Sequence, residues 1–198
     1  MIDGSMKIVR RKARRFKTRA LSDQRGVSAI EFALILPILL ALYISAVEIG
    51  DALTISRRAG SVAGAAADLV AQDKTTSANG LKDVMEAATS IFASFDDAPD
   101  DAPLTIKLTS VVADSKNATK VAWSCANKGS GYAKDSAFAV PAGLTEADSS
   151  VIVAEVEYKY APLLDLPEFG SPGAFTMTRK FYSKPRRSLT VQKTDQGC

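Results

Sequence analysis

The sequence predicts an α+β fold: a long N-terminal membrane helix, a further helix, and then an antiparallel β-sheet domain. Three observations carry this. A basic arm runs straight into an uncharged apolar stretch of sixteen residues, Phe32–Val47. Helical spacing of apolar residues continues to about Phe95. Beyond Pro103 the apolar period drops to two, the alternation of a half-buried strand.

The arm comes first. Residues 1–26 hold nine Lys and Arg against two Asp, a net charge of +7, whereas the rest of the chain nets −4. Nothing in the arm has the aromatic interleaving of a nucleic-acid platform, so no nucleic-acid partner is expected. With Val27, Ala29, Ile30 and Ile49 added, the apolar run reaches the roughly 20 residues that cross a bilayer as a helix. Pro37 within it removes a backbone donor, which membrane helices tolerate better than soluble ones. The run is longer than the core of an ordinary secretory signal, and no clear A-x-A site follows it. The positive-inside rule keeps residues 1–25 cytoplasmic and exports the chain after about Gly50. The reading is thus a cytoplasmic leader over residues 1–26, a transmembrane helix over 27–50 in contact with lipid, and an exported domain over 51–198. Translation from Met6 instead of Met1 would change little.

The junction reads Arg25-Gly26-Val27-Ser28-Ala29-Ile30-Glu31-Phe32. A glycine closes the basic leader, and five residues later a lone carboxylate stands at the edge of the apolar helix. A carboxylate in a membrane helix costs about 2.5–3.5 kcal/mol at the bilayer centre and less near an end, so it calls for a partner. This junction resembles the type IV prepilin cleavage site, and the string RGVSAIEFALILPILL over residues 25–40 is similar to TadE-like minor pilins or pseudopilins of tight-adherence (Tad) pilus systems. Val27 departs from the phenylalanine common in major pilins. The resemblance implies a processing site at Gly26, Val27 and Glu31, with a prepilin peptidase cutting after Gly26. The new Val27 ammonium would then pair with Glu31 of a neighbouring subunit. It also implies an inner-membrane, single-pass protein with a periplasmic C-terminal domain. Its implied partners are the prepilin peptidase, other pilins and pseudopilins, and the inner-membrane assembly platform. Whether the chain enters the fibre, caps it or primes its assembly stays open.

Beyond the bilayer, residues 48–71 are alanine-rich and helical in composition, with Gly60, Gly64 and Ala67 near a small-residue stripe. That stripe suits either a tight helix–helix contact or an ordinary packed amphipathic helix. The polar segment Asp73–Gly80 interrupts the helix. A second helix fits Leu81–Phe95, with Leu81, Val84, Met85, Ala88, Ile91, Phe92 and Phe95 on one face. The acidic segment Asp96–Asp101 ends it. Its aspartates lack EF-hand spacing and a closing glutamate, so a solvated loop is expected rather than a calcium site.

Strands are expected at Leu104–Val111, Lys120–Trp123, Val151–Tyr160 and Ala174–Ser183, with a turn at Ser115–Asn117. In the third, the set containing Glu155, Glu157 and Lys159 is the more polar face, leaving the other to pack on a helix. The tail from Lys184 reads as a basic surface loop. Cys125 and Cys198 both lie on the exported side, where oxidation is expected. A bond between them would constrain the unfolded chain by about 4 kcal/mol in the entropic model. Pilins often carry a C-terminal disulfide, which favours this pairing, with intermolecular pairing or free thiols as the alternatives. Trp123 is expected in the core or packed on that bond.

Function follows from what is absent as much as from the junction. The chain has no histidine and only two cysteines. That excludes Ser-His-Asp and Cys-His catalysis, His-ligated metals and four-cysteine clusters. No convincing S-x-x-K site exists: Ser183-Lys184 precedes a proline, and Ser110 and Ser115 fall in strand and turn contexts. No enzymatic activity, cofactor or metal is expected. The expected function is to support assembly of a Tad-type adhesive pilus. The competing reading is an uncleaved single-pass anchor with a periplasmic interaction domain.

Overall fold

The structure, a computed structural model, describes residues 26–93, 104–162 and 173–198. The basic arm and the acidic segment Asp96–Asp101 lie outside the described residues. The chain divides into two compact units, Met1–Ile49 and Gly50–Cys198.

Helix α1 spans Val27–Ala71 and contains Pro37. Proline at that position cannot donate to the Ala33 carbonyl one turn earlier. Two hydroxyls along α1 are satisfied locally: Ser45 Oγ donates to Ala41 O (2.8 Å) and Thr54 Oγ1 to Gly50 O (2.9 Å), the i−4 back-bond open to short polar side chains in helices. From Ser56 onward one stripe is buried: Ser56, Ala59, Val62, Ala63, Ala66, Ala67, Val70 and Ala71. The three-and-four spacing of small side chains brings the backbone close to what it covers.

What it covers is a sheet. After the two-residue strand β1 (Thr75–Thr76) and helix α2 (Ala78–Ala93), strands β2 (Leu104–Ala113), β3 (Thr119–Ala126), β4 (Ser150–Tyr160) and β5 (Phe175–Ser183) form a four-stranded antiparallel sheet of order β3-β2-β4-β5. A last two-residue strand, β6 (Gln192–Lys193), pairs in parallel with β1. The main core joins the buried stripe of α1 and Leu81, Met85, Ala88 and Phe92 of α2 to one face of the sheet. That face presents Leu104, Ile106 and Leu108 from β2, Trp123 and Cys125 from β3, and Ile152, Ala154, Val156, Tyr158 and Tyr160 from β4. Burying each large side chain there contributes about 1.5–3 kcal/mol. The rings of Phe92 and Tyr158 meet with centroids 5.2 Å apart.

The small-residue stripe therefore packs within the domain. Ala63 and Ala67 are fully buried, and a Cβ built on Gly64 would touch the Phe181 ring at 3.5 Å, while one on Gly60 would meet nothing within 4 Å. Arg179 of β5 fastens the same helix, donating through Nε to Ser56 Oγ at 2.7 Å.

Several expectations need correction. Helix α2 begins at Ala78, three residues before the expected start, because Ser77 caps it: Ser77 Oγ accepts from Gly80 N (3.1 Å) and Ser77 O from Leu81 N (2.9 Å). The end expected at Phe95 lies outside the described residues. Strand β3 runs longer than expected at both ends. The polar face of β4 is no open surface, since Glu155 is only 2% exposed and a second apolar cluster of Val111, Val121, Phe138, Val151 and Val153 forms on that side. The tail is not a free loop, because β6 and its flanks are tied into the domain.

Candidate functional site

The expected processing residues stand at the start of α1. Gly26 forms the helical entry, and a Cβ built there would meet nothing within 4 Å. Val27 is 47% exposed and Glu31 is exposed. With the helix starting at Val27, Glu31 is its fifth residue and so opens the second turn rather than lying in the first. Four residues of helix also place Val27 and Glu31 on one face, about 6 Å apart along the axis.

Around and beyond Glu31, the helix is apolar on every side. Ile30, Phe32, Leu34, Ile35, Ile38, Leu39, Leu40 and Leu42 are each at least half exposed. A patch of that size on a soluble surface would be extraordinary, and a lipid surround is the environment that removes its cost. By length and composition α1 is able to cross a membrane. Residues 26–68 match the family of TadE-like proteins. The TadE-like segment thus opens on the junction glycine, contains the whole apolar stretch, and ends on the buried stripe of α1. Residues 26–68 are thus similar to TadE-like proteins, and the helix they form is long and apolar enough to anchor in a membrane. No curated protein and no solved structure matches the chain. The sheet that follows the TadE-like segment lies outside the matched residues.

In the second unit, the structure brings Cys125 and Cys198 to disulfide distance, with Cα atoms 5.4 Å apart across a separation of 73 residues. Cys125 is buried and Cys198 exposed. Trp123 lies in the core as expected, and its indole N–H donates to Val191 O at 2.9 Å. The cysteines are one end of a strap. Arg186 N donates to Ala71 O (2.9 Å), closing the end of α1, and the Arg186 side chain pairs with Asp68. Gln192 N donates to Lys74 O (3.1 Å) and Thr194 N to Thr76 O (2.9 Å). Asp195 Oδ2 accepts from Ala78 N at 2.8 Å, a second cap on α2. The Lys193 ammonium, whose side chain is 7% exposed, donates to Asp195 Oδ1 and to the carbonyls of Asp195 and Gly197. The hydrogen bond from Lys193 and the Ala78 amide hold the Asp195 carboxyl below the usual carboxylate range.

Sequence reasoning missed this strap and one further cluster. Glu155 is paired with the Lys180 ammonium from β5 and accepts a 2.8 Å hydrogen bond from Tyr132 OH, which arrives from the β3–β4 connection. Burial, then the bond to Glu155, pushes the Tyr132 phenol up to about 12. Lys107 lies 4.4 Å from the centre of the Tyr132 ring, which meets Phe138 edge-on at 5.2 Å. Gly131 makes this approach possible: a Cβ there would collide with Ser124 O at 2.4 Å. Among the described residues, no group of three or more acidic residues or cysteines is arranged to hold a metal.

Proposed function

We propose that this chain is a minor pilin or pseudopilin that supports assembly of a Tad-type adhesive pilus. A prepilin peptidase cuts it after Gly26, and its own role is structural rather than enzymatic. The observation that carries this reading is the TadE-like match beginning at Gly26 on a helix whose N-terminal part is apolar and exposed, immediately after a leader of net charge +7. Cleavage needs an accessible backbone, and glycine enters a protease cleft without a side-chain clash. The freed Val27 ammonium and Glu31 of a neighbouring subunit then pair in the low-dielectric helix bundle, where opposite charges attract far more strongly than in water. The partners are other pilins and the inner-membrane assembly platform, and the sheet domain faces the periplasm.

N-terminal sequencing of the protein from envelope fractions tests the reading. The sequence should begin at Val27. An intact leader in cells with active prepilin peptidase would defeat it and leave an uncleaved anchor with a periplasmic interaction domain.

A further inference from the structure

Two buried side-chain hydroxyls, Ser110 Oγ and Ser150 Oγ, have no hydrogen-bond partner among the described residues. Ser110 is 0% exposed and Ser150 is 2%. Native proteins seldom leave such groups unpaired without water, an ion or strain to account for them.

Their positions are related. In the β2–β4 ladder Ser110 pairs with Ile152 and Val112 with Ser150, so the serines are diagonal neighbours. Strand alternation puts both on the side that carries Leu108 and Ile152. Diagonal Cβ atoms lie about 7–8 Å apart or somewhat less. That span is long for a direct hydroxyl–hydroxyl bond and fits two hydrogen bonds in series through one oxygen. The ladder is also open beside them. The β2–β3 register shifts between Ser110 and Val111, which pair with Trp123 and Val121 and leave Ala122 as the extra residue of a bulge. From outside, the strap closes the place: Ser150 N donates to Leu189 O at 2.9 Å, and Trp123, the partner of Ser110, donates to Val191 O.

We propose that Ser110 and Ser150 together hold one buried water between the sheet and the C-terminal strap. Each hydroxyl contributes one hydrogen bond, and the water retains capacity for a strap carbonyl, since a carbonyl oxygen accepts two. Buried waters of this kind make about three hydrogen bonds and are costly to remove.

The test uses the full chain in detergent micelles. Water–protein Overhauser spectra should show a long-lived water at the Hβ protons of both Ser110 and Ser150. Ser110→Ala and Ser150→Ala should each lower the folded-to-unfolded ratio roughly tenfold, the effect of losing one buried hydrogen bond. The double variant should fall no further than the worse single one, because both ligate one molecule. Water contacts at neither serine or at only one, or single substitutions that stabilise the fold and add independently, would overturn the shared site.

Discussion

Glu31 and Val27 share a helix face one turn apart, so under the proposed function the ammonium freed at Val27 and the Glu31 carboxylate of a neighbouring subunit can meet along that face. Glu31→Gln keeps the size and removes the charge. It should leave cleavage after Gly26 intact while reducing piliation, scored by immunoblot and by electron microscopy of shed fibres. Normal fibres from processed Glu31→Gln protein would rule out charge pairing. Gly26→Ala should do the reverse, retaining the leader while membrane insertion is unaffected, and a gel-mobility comparison reads that. Tyr132 gives a second residue-scale expectation. Its folded pKa is raised to about 12, so the phenol favours folding below its unfolded value near 10. That contribution is lost as pH rises from there through about 12. Tyr132→Phe should flatten this alkaline part of the stability–pH curve, followed by circular dichroism. Glu155 itself was misread because the partners that meet it, Tyr132 and Lys180, come from 23 and 25 residues away, Tyr132 from a segment with no periodic signal.

At the level of elements, the strap decides how α2 is held. Cys198→Ser should destabilise the second unit by about 2–5 kcal/mol, the usual cost of losing a native disulfide in a small domain. Denaturant unfolding measures it, and peptide mapping without reductant should first recover Cys125 linked to Cys198. Asp195 adds a pH dependence of opposite sign to that of Tyr132. Its carboxyl is held below the ordinary value of 3.8, so its stabilisation is present above that value. It disappears as pH falls through the lower, folded-state pKa. Asp195→Asn should remove this acid-side slope, and amide exchange in the first turn of α2 should quicken. The helices and the four long strands were legible because burial on one face imposes a period of 3.6 or 2 on the sequence. The strap carries no such period. Its order comes from partners at Ala71, Lys74, Thr76 and Ala78, more than a hundred residues earlier, and nothing local in Arg186 or Asp195 announces them. The start of α2 was within reach, since Ser77 is a standard N-cap residue that the polar run of neighbours obscured.

For the whole molecule, the two units make different demands on their surroundings. Nearly all apolar residues of α1 up to Ile49 are exposed, whereas the unit from Gly50 onward buries a two-sided sheet. The protein should accordingly remain with membranes through alkaline carbonate extraction and be released by detergent. Recovery in the carbonate supernatant would count against the membrane anchor. The junction at Gly26 and Glu31 was readable because it couples charge, glycine and hydropathy within a few residues. The sheet beyond Leu104 offered architecture but no comparable chemical signature.

The parallel pairing of Thr75–Thr76 with Gln192–Lys193 sets an order of events as the chain folds from its N-terminus. If the domain is exported N-terminus first, as the proposed function has it, α2 and β2 emerge long before residue 192 does. The corner between the two helices then has neither its ladder partner nor the Asp195 cap, so it stays unlocked however fast the nearby helices form. Contacts of such large sequence separation are the slow ones in folding. Completion of the domain is thereby tied to the arrival of its most distal segment.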